Sequence, residues 1–222
     1  MEYCEFQSVK YLLSCPDGFD THKKYPLVIF LHGAGTRSDE LSKLENNGNF
    51  KALNRHRNEK DYVLLAPLCS VTNWNEVMTT LIALVDDIRH RDYIDITRVY
   101  LTGNSMGGYG TWELASLRPD WFASAMPVCG GGMGWMAGTL VDVPIRTFHG
   151  MIDTVVEPNE SLAMARAVNL KGGHAEVILY PDLAHNCWDR AYGDISNIDW
   201  MMAFTTDRDK SVIEQLKGDY YG

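Results

Sequence analysis

At 222 residues, with 45% hydrophobic and 22% charged residues, the chain is long enough to bury a sizeable core and has an ordinary globular composition. A formal net charge of -9 without a Lys/Arg cluster excludes binding to nucleic acid backbones and disfavours strongly anionic polymers as ligands. No run approaches the roughly 18 apolar residues of a membrane span, and Met1 to Glu5 lacks the basic and apolar regions of a signal peptide. The expected location is therefore the cytoplasm, or outside the cell if a leader has been removed. The five cysteines, Cys4, Cys15, Cys69, Cys129 and Cys187, are odd in number and carry no metal-ligand spacing, so neither a metal nor another cofactor is expected.

In chain order, Cys4 to Leu13 reads as a strand or hairpin closed by the turn Cys15, Pro16, Asp17, Gly18. Leu27 to Leu31 and Val63 to Ala66 are continuous apolar runs, as parallel strands buried on both faces should be. Thr36 to Asn49 is polar and reads as a loop, with a helix over Phe50 to Arg57. Val77, Leu81, Leu84, Val85 and Ile88 recur at helical spacing. Val99 to Thr102 is a strand, Tyr109 to Leu117 a helix, and Ala123 to Cys129 a further strand. Strands over Pro144 to Phe148 and Glu176 to Tyr180 flank a helix from Ser161 to Leu170 that Gly172 and Gly173 end. This alternation predicts a mostly parallel sheet flanked by helices, in one domain spanning 1–222.

Between the strand Val99 to Thr102 and its following helix lies Gly103, Asn104, Ser105, Met106, Gly107. G-x-S-x-G in that context is the pattern of a nucleophile elbow, which lifts a serine hydroxyl off the edge of a sheet on a strained turn. Side chains at either glycine would collide with neighbouring backbone and abolish the turn. A local turn serine is the bland alternative.

The acid and base follow in the α/β-hydrolase order of serine, acid, histidine. Asp153 lies just past the apolar stretch Val143 to Phe148, with Asp182 and Asp142 as alternatives. His185 follows the strand that stops at Pro181. His22, His56, His90 and His174 fall in polar stretches, and His32 and His149 each precede a glycine at a strand end. In a parallel sheet, loops beyond the carboxyl ends of strands share one edge, where Ser105, Asp153 and His185 can meet. The turn His32, Gly33, Ala34, Gly35 after an apolar strand suits an oxyanion loop, with the amides of Ala34 and Met106 as candidate donors.

Tyr25 to Gly35 (YPLVIFLHGAG), Val99 to Trp112 (VYLTGNSMGGYGTW), Val128 to Gly132 (VCGGG), His149 to Asp153 (HGMID) and Tyr180 to Tyr192 (YPDLAHNCWDRAY) together resemble the compact esterases related to polyhydroxybutyrate depolymerases and feruloyl esterases. The resemblance implies an α/β-hydrolase fold with Ser105, Asp153 and His185 as its triad. It also implies activity on short acyl groups or on aromatic acids linked to plant polysaccharides.

Little room remains for a cap between the elbow and the acid, so an open or shallow cleft is expected. Trp74 and Trp188 are candidates to stack on a sugar or phenolic ring, with core packing as the alternative for each. Trp112, Trp121 and Trp200 read as packing residues, and Trp135 is undecided. The expected activity is cleavage of small or polysaccharide-linked carboxylic esters through an acyl-enzyme on Ser105. A peptidase, amidase or thioesterase is the rival enzyme, and a non-catalytic carbohydrate-binding module the rival of another class.

Overall fold

The computed structural model describes residues 1–206. The expected single unit over 1–222 therefore extends past the described residues. Within them one sheet contains β1 (Glu2–Phe6), β2 (Val9–Ser14), β3 (Tyr25–Leu31), β4 (Val63–Pro67), β5 (Ile94–Asn104), β6 (Ser124–Val128), β7 (Ile145–Gly150) and β8 (Ala175–Tyr180). The spatial order is β1-β2-β4-β3-β5-β6-β7-β8. The first two strands form an antiparallel hairpin, β2 runs antiparallel to β4, and every pair from β4 to β8 is parallel.

Helices α1 (Leu41–Glu45), α2 (Gly48–Lys60), α3 (Met78–Arg89), α4 (Met106–Leu117), α5 (Pro158–Leu170), α6 (Trp188–Gly193) and α7 (Ile195–Met202) cover both faces of the sheet. Strand side chains alternate between faces, so a strand covered on both sides must be apolar throughout. β3 shows this directly. Leu27, Ile29 and Leu31 join one core cluster with Leu81, Val85, Trp112 and Met164 of α3, α4 and α5. Val28 and Phe30 join the opposite cluster with Phe50, Leu53, Tyr192 and Ile198 of α2, α6 and α7. Each side chain moved from water into these layers contributes about 1.5–3 kcal/mol, so the two clusters hold the strand ends that carry the site.

The expected strands are all present, and β5 starts five residues before Val99, at Ile94. Two features differ from the expectation. The supposed loop Thr36 to Asn49 contains α1 and the start of α2, because the side chain of Asn47 accepts hydrogen bonds from the amides of Asn49 and Phe50 and caps the second helix. α6 and α7, unexpected from periodicity, are only 6 and 8 residues long and are separated by Asp194, whose carboxylate caps α7 at the amide of Ser196. Between β6 and β7 the chain forms just one 3-10 stretch, Gly134–Leu140, so no helical cap is inserted there. No described helix is long and apolar enough to cross a membrane.

Candidate active site

The parallel register aligns the carboxyl ends of five strands. Leu31 of β3 pairs with Gly103 of β5, Asn104 of β5 with Val128 of β6, and Gly150 of β7 with Tyr180 of β8. The loops beyond these positions carry every polar group of the site.

Ser105 caps α4 with φ 55° and ψ −118°, a conformation that side chains avoid and that costs about 1–3 kcal/mol. Its amide donates to Val128 O at 2.9 Å, and its carbonyl accepts from Tyr109 at 3.0 Å. The turn is so tight that a Cβ on Gly103 would lie 2.4 Å from Gly107 O, and one on Gly107 would lie 1.8 Å from Leu31 O. The glycine bracket is therefore a packing requirement set by β3.

His185 Nε2 stands 2.8 Å from Ser105 Oγ, and His185 Nδ1 stands 2.7 Å from Asp153 Oδ2. The other carboxylate oxygen of Asp153 accepts from the amides of Val155 and Val156 at 2.8 and 3.0 Å. Burial pushes this carboxyl up, but the hydrogen bonds from His185, Val156 and Val155 outweigh it and hold the group below the ordinary aspartate range. An ionised acceptor at Nδ1 places the imidazole proton there and leaves Nε2 free to accept from the serine. Neither alternative acid meets this geometry: Asp182 pairs with Arg190 at 2.7 Å, and Asp142 has no contact with His185.

Backbone ties bring the acid and histidine loops together. Met151 donates to Tyr180 O at 2.9 Å and Ile152 to Leu183 O at 3.1 Å. Gly150 permits this approach, since its Cβ would sit 2.2 Å from Ala184 O.

Ala34 opens the 3-10 turn Ala34–Thr36, and Met106 is the first residue of α4. First-turn amides have no intrahelical acceptor, so both N–H groups are available to an anion beside Ser105. The turn is clamped by the ring of His32, a residue that the sequence places in this turn without assigning its ring a role. Its Nδ1 donates to Gly33 O at 2.8 Å while its Nε2 accepts from the amide of Cys69 at 2.9 Å. Burial lowers the His32 pKa to about 4, opposed by the hydrogen bond to the Gly33 carbonyl and aided to a lesser extent by Lys43 and Arg37, so the ring is neutral at pH 7.

The two tryptophans part company. Trp188 is half-buried and meets the His185 ring edge-on at 5.1 Å, at the wall of a cleft of about 460 Å³ that also exposes Ser105, Ala34, Asn49 and Val155. Trp74 is only 2% exposed, so of its two expected roles packing describes it and a free stacking platform does not. Its indole N–H donates to His32 O at 3.1 Å and its ring packs on Gly110, leaving only an edge at a neighbouring cleft. Trp112 and Trp121 are core residues, the latter flanked by the guanidinium groups of Arg118 and Arg89 at 3.6 and 4.5 Å. Trp200 packs on Phe204, with the Arg146 guanidinium 4.4 Å from its ring centre, whereas Trp135 is 81% exposed. Among the described residues no cluster of three or more His, Cys, Asp or Glu side chains suits a metal ion.

A mostly parallel sheet with a serine elbow after its fifth strand, and an acid and a histidine on later loops, is the architecture of the α/β-hydrolases. The chain belongs to the dienelactone hydrolase family, whose model matches residues 48–197. It is 24% identical over 160 residues to a probable feruloyl esterase C of Aspergillus terreus, covering 70% of this chain and 59% of that protein. It is 23% identical over 221 residues to dipeptidyl-peptidase 5 of Porphyromonas gingivalis, covering 77% of this chain and 32% of that one. The chain thus spans about a third to three-fifths of the length of these relatives. Among solved structures, a thermostable esterase superposes with a TM-score of 0.78 at 30% identity, over 89% of this chain and 59% of that chain. Membership supports hydrolase chemistry of the esterase type.

Proposed function

We propose that the protein is a serine hydrolase that cleaves carboxylic esters through an acyl-enzyme on Ser105, with residues 1–222 forming one catalytic unit. The observation that carries this reading is the continuous hydrogen-bonded relay from Ser105 Oγ through His185 to Asp153, at 2.8 and 2.7 Å. As Ser105 attacks the ester carbonyl, His185 Nε2 takes the hydroxyl proton and Asp153 stabilises the imidazolium. The amides of Ala34 and Met106 donate to the tetrahedral oxyanion, and each such donor typically lowers the barrier by about 3–4 kcal/mol. Collapse breaks the bond to the alkoxy oxygen, and His185 returns the proton to the departing alcohol. A water molecule then repeats the sequence on the acyl-enzyme, releasing the acid and restoring Ser105.

The uncapped cleft and Trp188 beside His185 favour a short acyl or aromatic acid ester, including one linked to carbohydrate. The relationship to a dipeptidyl-peptidase favours amide cleavage as a second reading, since the same relay can act on both bonds. An intact relay leaves a non-catalytic carbohydrate-binding module as the weakest reading.

The deciding experiment is hydrolysis of p-nitrophenyl acetate, butyrate and octanoate at neutral pH beside Ser105→Ala. Turnover of the short esters that vanishes in the variant supports the proposal. Equal rates in both proteins would remove Ser105 as nucleophile.

A further inference from the structure

A second cleft, of about 400 Å³, lies on the other side of the elbow. Its floor is one face of α4: Met106, Tyr109, Gly110 and Glu113 recur at i, i+3, i+4 and i+7. At 1.5 Å per residue, this face runs about 10 Å from the residue after the nucleophile to Glu113. The cleft is mostly apolar, with Trp74 and Met133 in its walls.

Glu113 is out of place in such a lining. It is half-buried between the buried residues Trp112 and Leu114, and no hydrogen bond or ion pair to its carboxylate exists among the described residues. Partial desolvation raises its pKa. Asn73, in the same lining, has a buried side-chain oxygen without a hydrogen-bond partner. A charge left in a poorly solvated wall without a cation is destabilising unless a ligand completes it. The unmatched groups are acceptors, one of them anionic, so the missing partner is a cationic donor.

The direction of the reaction decides which part of a substrate lies here. The leaving group must stand within reach of the proton on His185, and His185 and Trp188 line the first cleft but not this one. The α4 cleft therefore receives the acyl arm. Gly110 keeps its floor open, since a Cβ there would meet the Trp74 ring at 3.0 Å and narrow the passage toward Glu113.

We propose that this cleft is an acyl subsite selective for a primary ammonium held several bonds from the scissile carbonyl, with Glu113 as its specificity-determining residue. The proposal rests on Ser105 being the nucleophile. An ω-amino acyl chain of about six carbons spans the α4 face, its methylenes against Trp74, Met106 and Met133 and its ammonium at Glu113. A charge-assisted contact of this kind is expected to favour the cationic substrate about tenfold to a hundredfold.

The test compares kcat/KM for p-nitrophenyl 6-aminohexanoate, 6-hydroxyhexanoate and heptanoate, which differ only in the terminal group. Wild type, Glu113→Gln and Ser105→Ala are assayed in parallel at pH 7.5, with spontaneous hydrolysis subtracted. The expected result is a tenfold or greater preference for the amine in wild type, lost in Glu113→Gln through a slower reaction of the amine, with no fall in the rate on heptanoate. Equal rates on the three esters in wild type, or an amine preference that survives in Glu113→Gln, would overturn the subsite. A hydroxyl ester cleaved as fast as the amine would overturn the cationic selectivity. Persistence of activity in Ser105→Ala would instead reject the nucleophile, a failure visible on heptanoate alone.

Discussion

His149 Nε2 lies 3.3 Å from the Asp153 carboxylate and 2.9 Å from Val156 O, while its Nδ1 lies 2.7 Å from Ser161 Oγ. Val156 in turn donates its amide to Asp153, so the histidine grips both the acid and the turn that feeds it. Ser161 extends the network to Gly130 O, beside the elbow. This fully buried ring holds the Asp153 carboxylate and its turn in place from behind.

Replacing His149 by alanine leaves the Val156 carbonyl without its ring partner and opens a void in a closed site, while Ser161 keeps its bonds to Gly130 O and Thr147. Each buried polar group left unsatisfied costs about 1–3 kcal/mol. The expected outcome is a loss of about 2–4 kcal/mol in urea unfolding, with kcat on p-nitrophenyl butyrate down about tenfold and KM little changed. His149→Gln, which keeps a donor and an acceptor, should recover most of the kcat. A kcat unmoved in the alanine variant would show that Asp153 holds its place without help.

Replacing Asp153 by asparagine keeps the shape of the acid but presents an amide to His185 Nδ1 in place of a carboxylate. The imidazole then loses its preferred tautomer and its counter-charge, and kcat should fall by about three to four orders of magnitude. Asp182→Asn, which breaks only the exposed pair with Arg190, should leave kcat within a factor of two of wild type. Similar losses in both variants would contradict the assignment of Asp153 as the acid.

The elbow was legible because its constraint is local: strand, glycine, serine, glycine and helix are adjacent in sequence, and the pattern encodes the close approach of Gly107 to Leu31 O, which leaves no space for a Cβ. The order of Ser105, Asp153 and His185 carried the rest of the relay, since parallel strands bring their carboxyl ends together. His32 and His149 were passed over for the opposite reason. Each is a polar residue at the end of an apolar strand, and its role depends on partners distant in space, Cys69 for one and Ser161 for the other. The His-Gly pairs at the ends of β3 and β7 were the available signal. Trp74 stays open between stacking and packing because a tryptophan after a strand looks the same in sequence whether its ring lies over a cleft or beneath the His32 carbonyl. α6 and α7 escaped notice because they are shorter than the window in which helical periodicity emerges.

Two glycine replacements separate packing from flexibility. A Cβ at Gly107 would lie 1.8 Å from Leu31 O, whereas one at Gly138 meets nothing within 4 Å. Gly107→Ala should yield insoluble or inactive protein, because β3 and α4 cannot both keep their positions. Gly138→Ala should match wild type in expression and kcat, with a thermal midpoint equal or slightly higher as the unfolded chain loses freedom. Full activity in Gly107→Ala would mean that the elbow approaches β3 less closely than described.

The His32 clamp on the turn from Gly33 to Thr36 makes stability depend on pH with a definite sign. His32 stays neutral in the folded protein down to about 4, because burial disfavours the imidazolium, whereas in the unfolded chain it titrates near its ordinary value of 6.5. Between those values the unfolded state binds a proton that the folded state refuses, so the free energy of unfolding falls as the pH falls. The contribution is fully present above pH 6.5, declines through the window and is lost below about 4, for a total on the order of 3 kcal/mol. In His32→Gln the glutamine oxygen can still accept from the Cys69 amide, but nothing titrates there. Urea unfolding at pH 7 and at pH 4.5 should therefore show a smaller acid destabilisation in the variant, by about 2 kcal/mol, than in wild type. Parallel declines in the two proteins would mean that other groups account for the acid sensitivity and that His32 accepts a proton without leaving the loop.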